Sequence, residues 1–342
     1  MRVSDFDYEL PPERIAQRPA ERRDASRLLV CPRHGGPLRH LRFHQIGGVL
    51  RAGDLLVLND TRVVPARLFG EKESGGRVAV LFSRPIADGV WEAMVRGRTR
   101  VGTRLILAAG RLSATVVAIE DGPFRRLRLD QPERLDAVLA EAGQVPLPPY
   151  IERAEGHTAE DLERYQTVFA ERPGAVAVPT AGLHFTPDLL ERLRGAGVET
   201  AYLTLHVGPG TFRPVEVEDV IDHRMATERF SVDPTVATRI AAAQAEGRRI
   251  IACGTTVTRV LETLWRRHGA VLAGDGETDL FLYPGASFGV IDGLITNFHL
   301  PRSTLIMLVA AFAGRERVLT AYAEAIREGY RFYSYGDAMV VV

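Results

Sequence analysis

The segment AVPTAGLHFTPDLLERL, residues 177–193, encodes the end of a strand, a tight turn and the start of a helix. Thr186 can cap that helix, Pro187 suits its first turn, and Leu189, Leu190 and Leu193 fall on one face. A plain connector needs only the cap and a glycine. The run Thr180-Ala181-Gly182-Leu183-His184-Phe185 adds a histidine and an aromatic ring where the first backbone N–H groups of a helix lie open.

Downstream the same alternation continues. VETAYLTLHV reads as a strand, PTVATRIAAAQAEG as a helix, RRIIAC as a strand and TVTRVLETLWRRHG as a helix. DLFLYPG, GLITNF, STLIMLVAAFAG, RERVLTAYAEAIREG and YRFYSYGDAMVVV complete the series. Upstream, between residues 62 and 149, the texture differs. ARLFGE, RVAVLF, VWEAMVRG, TRLILAAG, LSATVVAIE and FRRLRLD are short alternating or β-branched runs separated by Gly or Pro turns, with one helix at 133–142. PLPPYIER (146–153) reads as a stiff linker, because proline fixes φ and denies a helix. The expected fold is α/β: a mixed α/β main domain from residues 1–61 and 150–342, with an antiparallel β-barrel inserted at 62–149.

Composition narrows the class. The chain of 342 residues is 46% hydrophobic and 25% charged, ample for a full core. Two distant cysteines, Cys31 and Cys253, give no disulfide framework, so a reducing, cytoplasmic setting is expected. The N-terminus has neither signal- nor transit-peptide character, and the most apolar run, 305–313, is too short to span a bilayer. Net charge is zero, yet residues 1–150 hold 24 Lys+Arg against 18 Asp+Glu and the remainder 19 against 25. That asymmetry favours an anionic partner on the N-terminal side. Arg96, Arg98, Arg100 and Arg104, and then Arg125, Arg126 and Arg128, are either solvated strand faces or a phosphate-contacting surface.

Four loops share one design, a strand leading into small or polar residues. TAGLHF is the first. In LTLHVGPGTF, alternation puts Tyr202, Thr204 and His206 on one face and Leu203, Leu205 and Val207 on the other, so His206 emerges before the Gly208-Pro209-Gly210 turn. In IIACGTTVTRVLE, Gly254, Thr255 and Thr256 open a helix. In LITNFHLPRSTL, Asn297 and His299 are expected to share a face, with Ser303 capping the next helix. Ligands of open α/β sheets collect beyond the carboxyl ends of strands, so one small-molecule pocket is expected there. No P-loop, GxSxG elbow, complete dinucleotide fingerprint or HExxH motif occurs. His184, His206, Asp222, His223 and His299 leave a metal site across the fold open, although no metal is expected.

At these loops the chain resembles the S-adenosylmethionine:tRNA ribosyltransferase-isomerases of queuosine biosynthesis. The resemblance rests on ten ordered segments: SDFDYELP, IAQRPAERRDASRLLV, GDLLVLNDTRVVPARLFG, PLPPYIER, RYQTVFAERPGAVAVPTAGLHFT, LTLHVGPGTFRPV, GTTVTRVLE, LYPG, ITNFHLPRSTLIMLVAAFAG and RFYSYGDAM. They run from Ser4 to Met339. One departure is Ala226, in DHRMATERF, where the family commonly carries histidine.

The resemblance implies an α/β domain with an inserted β-barrel. It implies transfer and isomerisation of the ribosyl part of S-adenosylmethionine onto a 7-aminomethyl-7-deazaguanine base at the tRNA wobble position. Epoxyqueuosine forms, with release of adenine and methionine. S-adenosylmethionine is then a consumed substrate and no cofactor is needed; the partner is a precursor-bearing tRNA anticodon stem-loop, met by a monomer without a membrane. Histidine suits the proton transfers, which gives the roles to His206 and His184 with His299 in reserve. Thr180, Gly182, Gly208, Gly210 and Asn297 would line the S-adenosylmethionine pocket, and Phe185 would stack on adenine. Gly254, Thr255 and Thr256 would hold the methionine carboxylate with support from Arg259. Asn59, Asp60 and Arg62, at the domain junction, and Arg96, Arg98 and Arg100 would meet tRNA or the modified base. Two other readings stay open: a metal-dependent hydrolase using the histidine loops, and a non-catalytic RNA-binding module.

Overall fold

The computed structural model describes residues 1–120, 122–153, 156–212 and 215–342, with the side chain of Phe212 left aside. Seventeen strands follow one another among these residues. They are β1 (Arg27–Cys31), β2 (Arg39–Arg42), β3 (Leu55–Asn59), β4 (Thr61–Val63), β5 (Arg67–Lys72), β6 (Arg77–Ala87), β7 (Val90–Arg96), β8 (Arg104–Leu107), β9 (Leu112–Ile119) and β10 (Phe124–Leu129). After the barrel come β11 (Arg172–Ala175), β12 (Glu199–Leu205), β13 (Glu228–Val232), β14 (Ile250–Cys253), β15 (Gly274–Thr278), β16 (Gly293–Asn297) and β17 (Ala338–Val341).

Strands β5 to β10 close into a six-stranded antiparallel barrel. They coincide with the six alternating runs read from the sequence. The inward set, Leu68, Val80, Phe82, Val95, Leu105, Leu107, Val116 and Leu127 among them, is buried to within a few per cent, while arginines take the outward positions. Period-two patterning and closure go together here, since closure leaves no unpaired edge.

The main sheet has the order β15-β13-β12-β3-β14-β16-β17-β1-β2. Its centre, β12-β3-β14-β16, is parallel, whereas β17 and β13 run antiparallel to it. The central strands are buried on both faces, which explains runs such as LLVL and IIAC with no polar alternation. Leu55, Val57, Leu203, Leu205 and Leu294 pack on one face with the helices Pro234–Ala245, Thr255–His268, Thr304–Ala313 and Arg315–Arg327. Leu56, Leu58, Ile251 and Ile295 pack on the other with the helix Pro187–Gly195. Thr186 caps that last helix, its hydroxyl accepting the Leu189 N–H at 3.1 Å, and Ser303 caps Thr304–Ala313 the same way at 3.3 Å. DLFLYPG departs from its expected place in the alternation, because the strand there is Gly274–Thr278, immediately upstream. No helix is long and apolar enough to cross a membrane among the described residues.

Candidate active site

Because β12, β3, β14 and β16 are parallel, their carboxyl ends line one edge. Asn59 ends β3 and acts as a clasp. Its Oδ1 accepts the Thr61 and Leu205 N–H groups at 3.1 and 3.0 Å, and its Nδ2 donates to the Leu205 carbonyl and to Thr256 Oγ1 at 3.0 and 3.3 Å. Its hydrogen-bonding capacity is therefore spent within the protein. This places Asn59 away from the expected role of meeting tRNA, and makes it the tie between three strand ends.

His206 lies just past β12, half-buried. Its Nδ1 is 2.8 Å from the Thr61 hydroxyl, and Nε2 bonds no described residue. Burial first, then the charges of Arg229 and Arg172, holds its pKa below the ordinary histidine value. Gly174 is the floor under the ring. Its φ of +148° suits glycine, and a Cβ there would come within 2.8 Å of the imidazole.

The other two histidines are committed elsewhere. His184 is buried and stacks on Phe43 at 5.0 Å between ring centres. Asn297 Nδ2 donates to the Tyr333 carbonyl at 2.9 Å, so its Oδ1 faces His184 and takes the Nε2 proton at 3.3 Å. Nδ1 then accepts from the Ser26 hydroxyl at 2.7 Å, closer than the alternative Arg23 carbonyl at 3.1 Å. Both ring nitrogens are engaged, and burial lowers the pKa to about 4. His299 bonds Thr296 Oγ1 through Nε2 at 2.6 Å, its backbone meets the Tyr322 and Tyr8 hydroxyls, and burial lowers it to about 3. The expectation that it shares a face with Asn297 fails. Strand β16 ends at Asn297, and the chain beyond turns His299 back onto Thr296, whose side alternates with that of Asn297.

Around these groups the remaining expectations divide. Gly254, at φ +94°, opens the helix Thr255–His268 with no side-chain cap, so the N–H groups at Thr255 and Thr256 face the edge. Ala181 of the first loop lies beside Gly254. Thr180 begins the short turn Thr180–His184, but Gly182 is tight against Thr167 and Phe169 rather than open to a ligand. Phe185 is wholly buried against Phe43 and the 187–195 helix, which leaves no ring face for adenine. Gly208 donates its N–H to Glu228 Oε1 at 2.8 Å, and Glu228 also pairs with Arg259. Arg259 further donates to the Leu280 and Thr278 carbonyls, so it braces the Gly208 turn from behind instead of presenting its guanidinium to a carboxylate. Gly210 packs on Ala226, and a Cβ on Gly210 would lie 2.5 Å from the Ala226 methyl. The Arg213-Pro214 end of that motif lies outside the described residues.

Asp60 is buried, bonded by the Thr204 hydroxyl at 2.6 Å, and burial holds its carboxyl above the usual range. It too points into the protein. Arg62 stays exposed, as do Arg96, Arg98 and Arg100 on the barrel, and the last three form no salt bridge among the described residues. Arg104 and Arg126 are paired with Asp130 and Glu120. No three His, Cys, Asp or Glu side chains gather as metal ligands among the described residues. Thr61, Gly174, Ser26, Glu228 and Tyr333 were missed from sequence. Besides Gly174, Tyr333 is conformationally unusual: φ is +71° at a buried aromatic residue, a strained backbone held by its N–H to the Phe298 carbonyl at 3.1 Å.

Comparison with known proteins agrees with this geometry. The family model for queuosine biosynthesis protein matches residues 3–341. The S-adenosylmethionine:tRNA ribosyltransferase-isomerase of Heliobacterium modesticaldum is 53% identical, and that of Geobacter metallireducens 52%, each aligned over 100% of both chains. The crystal structure of S-adenosylmethionine tRNA ribosyltransferase from Thermotoga maritima superposes with a TM-score of 0.57 at 37% identity, covering 99% of this chain and 100% of that one. A whole-chain match of this kind identifies the chain as a member of the queuosine biosynthesis protein family.

Proposed function

We propose that this protein is an S-adenosylmethionine:tRNA ribosyltransferase-isomerase, with the carboxyl edge of the main sheet as its active site. The observation that carries the reading is His206, a half-buried histidine whose Nε2 bonds no described residue, in a chain alike over its whole length to enzymes of that name. It transfers the ribosyl moiety of S-adenosylmethionine to 7-aminomethyl-7-deazaguanine at the wobble position of a tRNA anticodon stem-loop, as a cytoplasmic monomer without a cofactor. Adenine and methionine leave.

The chemistry needs a base for the carbon beside the sulfonium, whose positive charge acidifies that C–H bond. A lowered pKa keeps His206 neutral near pH 7, as a base must be. For Nε2 to take the proton, Nδ1–H donates to Thr61, whose own hydrogen turns to the Arg172 carbonyl 3.5 Å away. The N–H groups at Thr255 and Thr256 receive the methionine carboxylate. Arg62 and the Arg96, Arg98 and Arg100 face meet RNA phosphates. The deciding assay is release of adenine from S-adenosylmethionine in the presence of precursor-bearing tRNA. Release that requires the tRNA is expected; if neither adenine nor methionine appears, the reading fails.

A further inference from the structure

Two arginines without a carboxylate meet beside His184. Arg23 belongs to the short turn Arg23–Ala25 and Arg164 ends the helix Ala159–Arg164; with Ser26, His184, Ser334 and Gly336 they line one pocket. Arg23 donates only to main-chain carbonyls, those of Arg164, Leu183 and Glu163. Arg164 does likewise, reaching the Ala20 carbonyl at 2.6 Å and that of Glu21 at 3.2 Å. Neither forms a salt bridge among the described residues, whereas Arg249, Arg259 and Arg153 pair with Asp54, Glu228 and Asp161. Arg33 and Arg317 also rest on carbonyls alone, so what distinguishes Arg23 and Arg164 is that two such guanidinium groups line one pocket. The Nε of Arg164 is buried with no hydrogen-bond partner among the described residues.

Each feature asks for an acceptor bearing negative charge. Burial and then the neighbouring Arg164 charge lower the pKa of Arg23, with Glu163 and Tyr335 offsetting only part. A half-buried like-charge pair is costly unless something anionic sits between or beside it. The pocket's other groups do not supply it, since His184 stays neutral and Ser334 is bonded to the Tyr150 hydroxyl at 2.7 Å. We propose that this pocket is a binding site for one oxyanion of the substrates, with a backbone phosphate of the RNA as its source. The amino-acid carboxylate already has the N–H groups of the 255–268 helix, so the phosphate is the anion left over. This assignment of sources rests on the proposed function; the existence of the oxyanion site does not.

The test is binding rather than turnover, so its failure is separable from failure of the adenine-release assay. Calorimetry of an anticodon stem-loop RNA and of S-adenosylmethionine is compared for the wild type and Arg164→Gln, with thermal melting to confirm the fold. The expected result is about tenfold weaker RNA binding, a salt dependence reduced by about one ion, and unchanged S-adenosylmethionine affinity. If S-adenosylmethionine weakens instead and its decarboxylated analogue does not, the oxyanion site stands and its source is the carboxylate. Unchanged affinity for both ligands overturns the site. Arg23→Gln repeats the comparison should Arg164→Gln fail to fold. On the wild type alone, inorganic phosphate at constant ionic strength should raise the melting temperature, and the absence of any rise counts against the site.

Discussion

The carboxyl edge of the main sheet and the arginine face of the barrel are both polar, and they are built on opposite terms. At the edge, Asn59, His184 and Asn297 are buried and every polar atom has an assigned neighbour. On the barrel, Arg96, Arg98 and Arg100 are exposed, and their neighbours along the face are held by surface pairs such as Arg104–Asp130. A buried network loses much when one member goes, because the others are left unsatisfied; a solvated charge loses little. Geometry at the edge is thus fixed, while the barrel's arginines stay solvated.

The largest expected effect comes from His206, whose Nε2 bonds no described residue. His206→Ala should lower adenine release by roughly 10²–10⁴-fold with the fold intact. Gly174→Ala, whose Cβ would press within 2.8 Å of the imidazole without changing its chemistry, should lower it less. A loss under tenfold in His206→Ala would break the assignment of His206 as the base.

Acid should act next, through His184. Its folded pKa of about 4 lies below the ordinary 6.5, so the unfolded chain binds a proton that the folded chain does not. Stability is therefore full above pH 6.5 and falls as pH drops from there towards 4, by up to about 3 kcal/mol. Chemical denaturation of the wild type and of His184→Asn across pH 4–7 measures this, and equal slopes would show that His184 is not the cause.

The smallest effects belong to the barrel. Replacing Arg96, Arg98 or Arg100 by Gln should weaken tRNA binding a few-fold each, reduce the salt slope by about one per arginine, and leave melting unchanged. A large loss of stability from any of them would erase the contrast between the two regions.

Much of this was legible beforehand. The six barrel runs and the capped helix at 187 follow from period-two and period-3.6 patterning, which local sequence carries directly. His206 at a strand end follows from alternation along LTLHV. What could not be read was which polar residues face inward. Phe185, Arg259 and Asp60 have the chemistry of ligand contacts, but each is consumed by neighbours distant in sequence: Phe43, Glu228 and Thr204. His299 was misplaced because alternation was carried one step past the end of its strand.

The sequence by itself determined the two architectures, the caps, and the loops that gather at the sheet edge, since these depend on side-chain periodicity and on single residues such as Gly254 and Thr186. Only the tertiary structure decided that His184 is locked through both ring nitrogens while the Nε2 of His206 bonds no described residue. That distinction depends on hydrogen-bond partners 158 and 145 residues away, Ser26 for one and Thr61 for the other. Such partners are set by strand order in the sheet, and no local pattern records it.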